Sequence, residues 1–172
     1  MNLTFFNLSG FPSPGGRVLA FAMQYQEQSQ WCWAATSASV SIYLNTTSKW
    51  TQCLIVNNAL SQTSCCTQGS SPACNKSWFL DHALQIVGNF GHMAVKRAQL
   101  SEVVQEIDSN RPLCLRIGWY DGGGHFVAIY GYSGTVVNVG DPWWGDSAVE
   151  FDTFPDTYQT GGKWTHTYWV VP

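Results

Sequence analysis

Charge is what this sequence has least of: only 11% of its 172 residues are Asp, Glu, Lys or Arg, less than half the roughly 25% of ordinary soluble domains. The formal net charge is -3 and the few lysines and arginines are scattered. That leaves no basic stripe to follow a phosphate backbone and excludes nucleic acid as a partner. Long apolar runs are missing too. None approaches the roughly 18 to 20 residues that a membrane span needs, so no membrane partner is expected. The opening MNLTFFNLSGFPSPGG has no positive n-region and is broken by Pro12, Pro14, Gly15 and Gly16. It does not read as a secretory signal, and export would need another route. Internal repeats and interdomain linkers are absent, and the length suits one domain over 1–172, with 1–20 as an N-terminal extension or first strand. A monomer is expected.

Aromatic residues, by contrast, reach 15%, and there are six cysteines, many for a reducing cytosol. Cys53, Cys65, Cys66 and Cys74 share one polar stretch, TQCLIVNNALSQTSCCTQGSSPACN. Adjacent cysteines rarely bridge each other, so Cys65 and Cys66 are expected to pair outward with Cys53 and Cys74, in an order the spacing leaves open. Cys-Cys adjacency does not match the C-x2-C spacing of zinc sites, and no metal is assigned. Cys114, inside an apolar run, reads as inert core.

The first half is helix-like. In WCWAATSASVSIYL, Trp31, Ala34, Ala35, Ala38 and Ile42 recur at helical spacing, which predicts a helix from about Cys32, preceded by Ser29 and Gln30 as capping residues. A second helix is expected in SWFLDHALQIVG, with Phe79, Ala83, Leu84 and Val87 on one face and Gly88 as the stop. A third is expected in LSEVVQEIDSN, ended by Arg111-Pro112. After Pro112 the runs LCLRIGWY, HFVAIYGY, TVVNVGD, SAVEF and WTHTYWVV read as strands. Helices followed by strands predict an α+β fold with an antiparallel sheet.

A thiol attacks a carbonyl as its thiolate, which needs local positive potential. Cys32 stands where the first helix begins, and a helix N-terminus supplies such potential. Of the four histidines, His125 opens an apolar strand directly after Gly122, Gly123 and Gly124, an approach that leaves room for a substrate backbone beside the ring. A third group must hold the imidazole in orientation. If HFVAIYGY and TVVNVGD form a hairpin turning near Ser133 and Gly134, positions 125 and 141 fall nearly opposite each other, so Asp141 is placed for that role.

The motifs QEQSQWC, WCWAA, GGGHFV and DPWWG resemble papain-like cysteine peptidases (clan CA), and most closely the bacterial branch of AvrRpt2-type effector proteases, over most of residues 20 to 170. The resemblance implies a papain-like fold, with the nucleophile helix packed on a C-terminal antiparallel sheet or half-barrel, and a Cys-His-Asp triad of Cys32, His125 and Asp141. It implies that Gln26, six residues before the nucleophile, lines the oxyanion hole, although Gln24, Gln28 and Gln30 stand close by. Trp143 resembles the indole that shields the histidine pair. Trp31, Gly123, Gly124 and Trp143 are the expected substrate contacts. The implied activity is endopeptidase cleavage of a protein or peptide through a thioester, without cofactor, in a secreted or injected effector or toxin that a dedicated immunity protein could inhibit. A peptidoglycan amidase of related fold and an inactive binding protein on the same scaffold are the rival readings.

Overall fold

All five strand-like runs after Pro112 form strands, as their β-branched and aromatic content dictates. In the computed structural model, which describes residues 15–172, they are β3 (Leu113–Trp119), β4 (His125–Ser133), β5 (Val136–Gly140), β6 (Ser147–Glu150) and β7 (Gly162–Val170). Two further strands join them, β1 (Arg17–Val18) and β2 (Phe90–Ala94). The seven make one antiparallel sheet in the order β2-β7-β3-β4-β5-β6. β1 pairs with Gly131 and Tyr132, beyond the stretch of β4 that β3 covers. β1 lies within the stretch 1–20 expected as an N-terminal extension or first strand, of which 1–14 lie outside the described residues.

Four helices complete an α+β fold: α1 (Cys32–Leu44), α2 (Gln52–Ala59), α3 (Leu80–Ile86) and α4 (Leu100–Asp108). One hydrophobic core joins α1, α2, α3 and α4 to the sheet. α1 differs from the stripe its spacing suggests. Packed against α2, α3 and β4, it is buried on every side from Cys32 to Ser41, while Ile42 is exposed. Small residues make this possible, and the buried hydroxyls of Ser37 and Ser39 are satisfied by the carbonyls of Trp33 (2.9 Å) and Ala35 (2.7 Å) one turn back. Phe79, also expected on a buried face, is exposed at the N-cap of α3.

α2 has no counterpart in the sequence reading. Its start is capped by the Thr51 side chain, which accepts from Leu54 N–H, and it opens the cysteine-rich stretch. There the sulfurs of Cys53 and Cys66 lie 2.04 Å apart and those of Cys65 and Cys74 2.02 Å. The adjacent cysteines pair outward, and the order left open is resolved. Cys32 and Cys114 are free and buried. Thiol titration of the denatured, unreduced protein should therefore find two thiols, rising to six after reduction; six without reductant would contradict the pairing. Among the described residues, no helix is long and apolar enough to cross a membrane.

Candidate active site

Cys32 is the first residue of α1. The helix begins there without a side-chain cap: its N-cap is Trp31, not Ser29 or Gln30, and the turn before it closes through Trp31 N–H to the Gln28 carbonyl at 3.1 Å. The first intrahelical bond is Ala35 N–H to Trp31 O, 2.9 Å. The N–H groups of Cys32, Trp33 and Ala34 consequently have no acceptor within the helix. With no acidic side chain in the first turn, nothing there cancels the positive end of the helix dipole.

His125 begins β4 and is 6% exposed. Asp141 follows the last residue of β5 and is 1% exposed. Ala128 pairs with Gly140 and Ile129 with Val139, so Asp141 continues the ladder opposite Val127, one diagonal step from His125. That step is short enough for His125 Nε2 to meet Asp141 Oδ1 at 2.8 Å. The other ring nitrogen, Nδ1, is left free to act on the Cys32 sulfur, which lies close enough to influence the ring. Burial works against a charge on this imidazole, but the hydrogen bond to Asp141 and the favourable influence of Asp141 and the nearby Cys32 sulfur outweigh it. Together they push the His125 pKa up to about 9.

Asp141 is held as tightly as it holds. Its Oδ1 also accepts the backbone N–H groups of Trp143 (2.7 Å) and Trp144 (3.0 Å), and its Oδ2 accepts the Tyr158 hydroxyl at 3.0 Å. Tyr158, 17 residues downstream, carries no signal in the sequence that would announce this bond. Burial first, and the negative carboxylate second, raise its pKa to about 12, so the phenol stays a donor. Asp146, the other acid of this loop, lies against Tyr130 instead.

The indole over the histidine pair is Trp144, not Trp143. Trp144 meets His125 edge-on at 5.4 Å between ring centres, and Trp119 stacks on the same ring at 5.9 Å while meeting Trp144 edge-on at 5.8 Å. Together they keep water from the His125 to Asp141 bond, which strengthens it. Trp143 contributes its N–H to Asp141, while its side chain, 51% exposed, lines the cleft. The reason is local: in a tight turn ending at Gly145, which has φ of +84° and donates to the Asp141 carbonyl, successive side chains diverge, so sequence position alone could not choose between the two.

Gln26 lines the same cleft as Cys32 and His125. One of its two Nε2 hydrogens is donated to the Gln28 carbonyl at 2.7 Å, which fixes the amide with its nitrogen on that side, since the opposite orientation would set two acceptors face to face. Gln52, buried in α2, brackets this residue: it donates to Tyr25 O (2.8 Å) and accepts from Glu27 N–H (3.0 Å). Gln26 N–H in turn donates to Pro142 O at 2.8 Å, tying this loop to the Asp141 turn.

Gly123 and Gly124 also line the cleft, but Gly124 makes room mainly for protein: a Cβ there would overlap the Arg116 guanidinium. Trp31, expected as a substrate contact, does not line the cleft. It is 1% exposed, its indole N–H donating to Cys74 O at 2.9 Å beneath the disulfide-bearing loop. The neighbouring Trp33 borders the cleft but is itself fully buried. The cleft measures about 840 Å³, enough for several residues of an extended peptide. Among the described residues, no group of three His, Cys, Asp or Glu is placed to hold a metal ion.

Comparison with known proteins points the same way. A family model described as "Papain-like cysteine protease AvrRpt2" matches residues 16–159. No curated protein matches the chain. Among solved structures, the peptidase domain of Streptococcus ComA, a bifunctional ABC transporter of a quorum-sensing pathway, is 14% identical. It superposes with a TM-score of 0.58 over 88% of this chain and 98% of that one. A double-glycine-motif protease from an AMS/PCAT transporter, solved with its leader peptide, is 17% identical, with a TM-score of 0.50 over 90% of this chain and 94% of that one. At such identities the likeness is one of fold, and that fold is papain-like. With a match that spans most of its length, the chain belongs to the papain-like cysteine proteases of the AvrRpt2 family.

Proposed function

We propose that the chain is a single-domain cysteine endopeptidase in which Cys32 is the nucleophile, His125 its proton partner, Asp141 the group that orients the imidazole, and Gln26 an oxyanion donor. The observation that carries this reading is the convergence of Cys32, His125 and Gln26 on one open cleft, with Asp141 bonded behind His125. The imidazolium is the counter-ion that a thiolate nucleophile requires. Cys32 Sγ attacks the scissile carbonyl carbon, and the oxyanion that forms accepts from the Cys32 N–H and the unused hydrogen of Gln26 Nε2. As the C–N bond breaks, His125 gives its Nδ1 proton to the leaving amine, and a thioester remains. Neutral His125 then takes a proton from water, whose oxygen attacks the thioester, releasing the acid and restoring the pair.

Gln26 Oε1 is buried with no partner among the described residues, an arrangement costing on the order of 1–3 kcal/mol. A role for its nitrogen in the oxyanion hole explains why such an amide is kept. A peptide substrate is supported by the transporter protease solved with a leader peptide. The two disulfides and the low charge support a secreted protein, or an effector or toxin delivered into another cell.

The pH dependence of peptide hydrolysis tests the pair. Because the His125 pKa lies well above the ordinary 6.5, the imidazolium persists at neutral pH and is lost as pH rises through about 9. kcat/KM should therefore hold through neutrality and fall on an alkaline limb near 9. The same sign governs stability, which His125 supports fully below 6.5 and ceases to support above about 9. An alkaline limb near 6.5 would contradict the raised histidine.

A further inference from the structure

One wall of the cleft carries a charge that the proposed chemistry does not use. Arg116 on β3 pairs across the sheet with Phe126 on β4 and His166 on β7, and all three line the cleft. Two of its five N–H donors are engaged, and loosely, by Thr165 Oγ1 at 3.2 Å and Gly123 O at 3.4 Å. Among the described residues, ion pairs join His82 to Asp81, Lys96 to Glu102, Arg111 to Glu106 and His125 to Asp141, and Arg116 takes part in none. No Asp or Glu lines the cleft. His166 adds no charge at neutral pH, because burial and then the Arg116 cation depress its pKa.

A half-buried guanidinium with spare donors and no ion-pair partner among the described residues matches a carboxylate, which it can grip through two parallel N–H bonds. We propose that Arg116 forms a carboxylate subsite of the cleft, so that the preferred peptide presents an acidic group there. That group is an Asp or Glu side chain near the scissile bond or the peptide's own C-terminal carboxylate. The assignment rests on the peptidase reading above. Gly124 belongs to this subsite, because any side chain at that position would displace the guanidinium.

The test uses peptides that carry Glu or Gln at each position around the cleaved bond, each with a free or an amidated C-terminus. Hydrolysis is measured with the wild-type chain and binding with Cys32→Ala. At one position Glu should exceed Gln by about tenfold in both kcat/KM and affinity, the range of a charge-assisted hydrogen bond. If amidation removes the preference instead, the carboxylate recognised is the terminal one. In Arg116→Gln the ratio should collapse to about one, with Arg116→Lys in between. Equal handling of Glu and Gln, and of free and amidated peptides, by the wild-type chain would overturn the subsite whether or not the variants fold. So would a preference that survives in folded Arg116→Gln. Acid-selective binding to Cys32→Ala without hydrolysis by the wild-type chain would uphold the subsite and sink the peptidase reading instead.

Discussion

Replacing Cys32 with alanine should lower kcat/KM for peptide hydrolysis by at least about 10⁴-fold, because groups acting as one catalytic unit are each nearly indispensable. The fold should survive. Cys32 is 9% exposed, at the first turn of a helix whose burial depends on Trp33, Ala34, Ala38 and Val40 rather than on the sulfur, so the melting temperature should move by only a few degrees. Measurable turnover in a preparation of Cys32→Ala free of wild-type chain would remove the nucleophile assignment. The only other free thiol, Cys114, cannot substitute for it. It is fully buried in β3, and burial raises its pKa to about 12, so it remains a protonated core residue at any pH at which the enzyme would be assayed.

Asp141→Ala should have the largest effect on stability, a loss of about 3–5 kcal/mol. The carboxylate is the acceptor for His125 Nε2, two backbone N–H groups and the Tyr158 hydroxyl. Removing it strands these donors in a region that Trp119 and Trp144 keep dry. Asp141→Asn, which retains one carbonyl acceptor, should cost less. Activity should fall as well, by roughly 10² to 10⁴, since an imidazole without its acceptor loses both tautomer and orientation. Denaturant unfolding of the three proteins measures the first effect; a loss below about 1 kcal/mol for Asp141→Ala would show that the network is not anchored on the carboxylate.

The convergence of Cys32, His125 and Asp141 was legible in the sequence because each stands at an element junction: a helix start, a strand start after glycines, a strand end. The hairpin arithmetic that related His125 to Asp141 survives a bulge between Ile129 and Gly131, since the bulge moves the register by only one residue and a diagonal contact absorbs the difference. The long strands were legible for a similar reason, their composition matching their final environment. α2 was not, because Leu54, Ile55 and Val56 run consecutively rather than at helical spacing and its start depends on a Thr51 cap amid disulfides. β2 was also illegible: only its pairing with β7 makes FGHMA a strand, and three of its five residues are exposed. The contribution of Tyr158 arises from chain folding after Asp146, and the exchange of Trp144 for Trp143 from one tight turn. Periodicity encodes neither.

The sharing of a proton between the Cys32 sulfur and the His125 ring is tested most directly by an epoxide-type thiol inhibitor, followed by mapping of the modified peptide. At neutral pH one equivalent should attach, at Cys32, and His125→Ala should react far more slowly with the protein still folded. Labelling at Cys114, no labelling, or an unchanged rate in His125→Ala would contradict it.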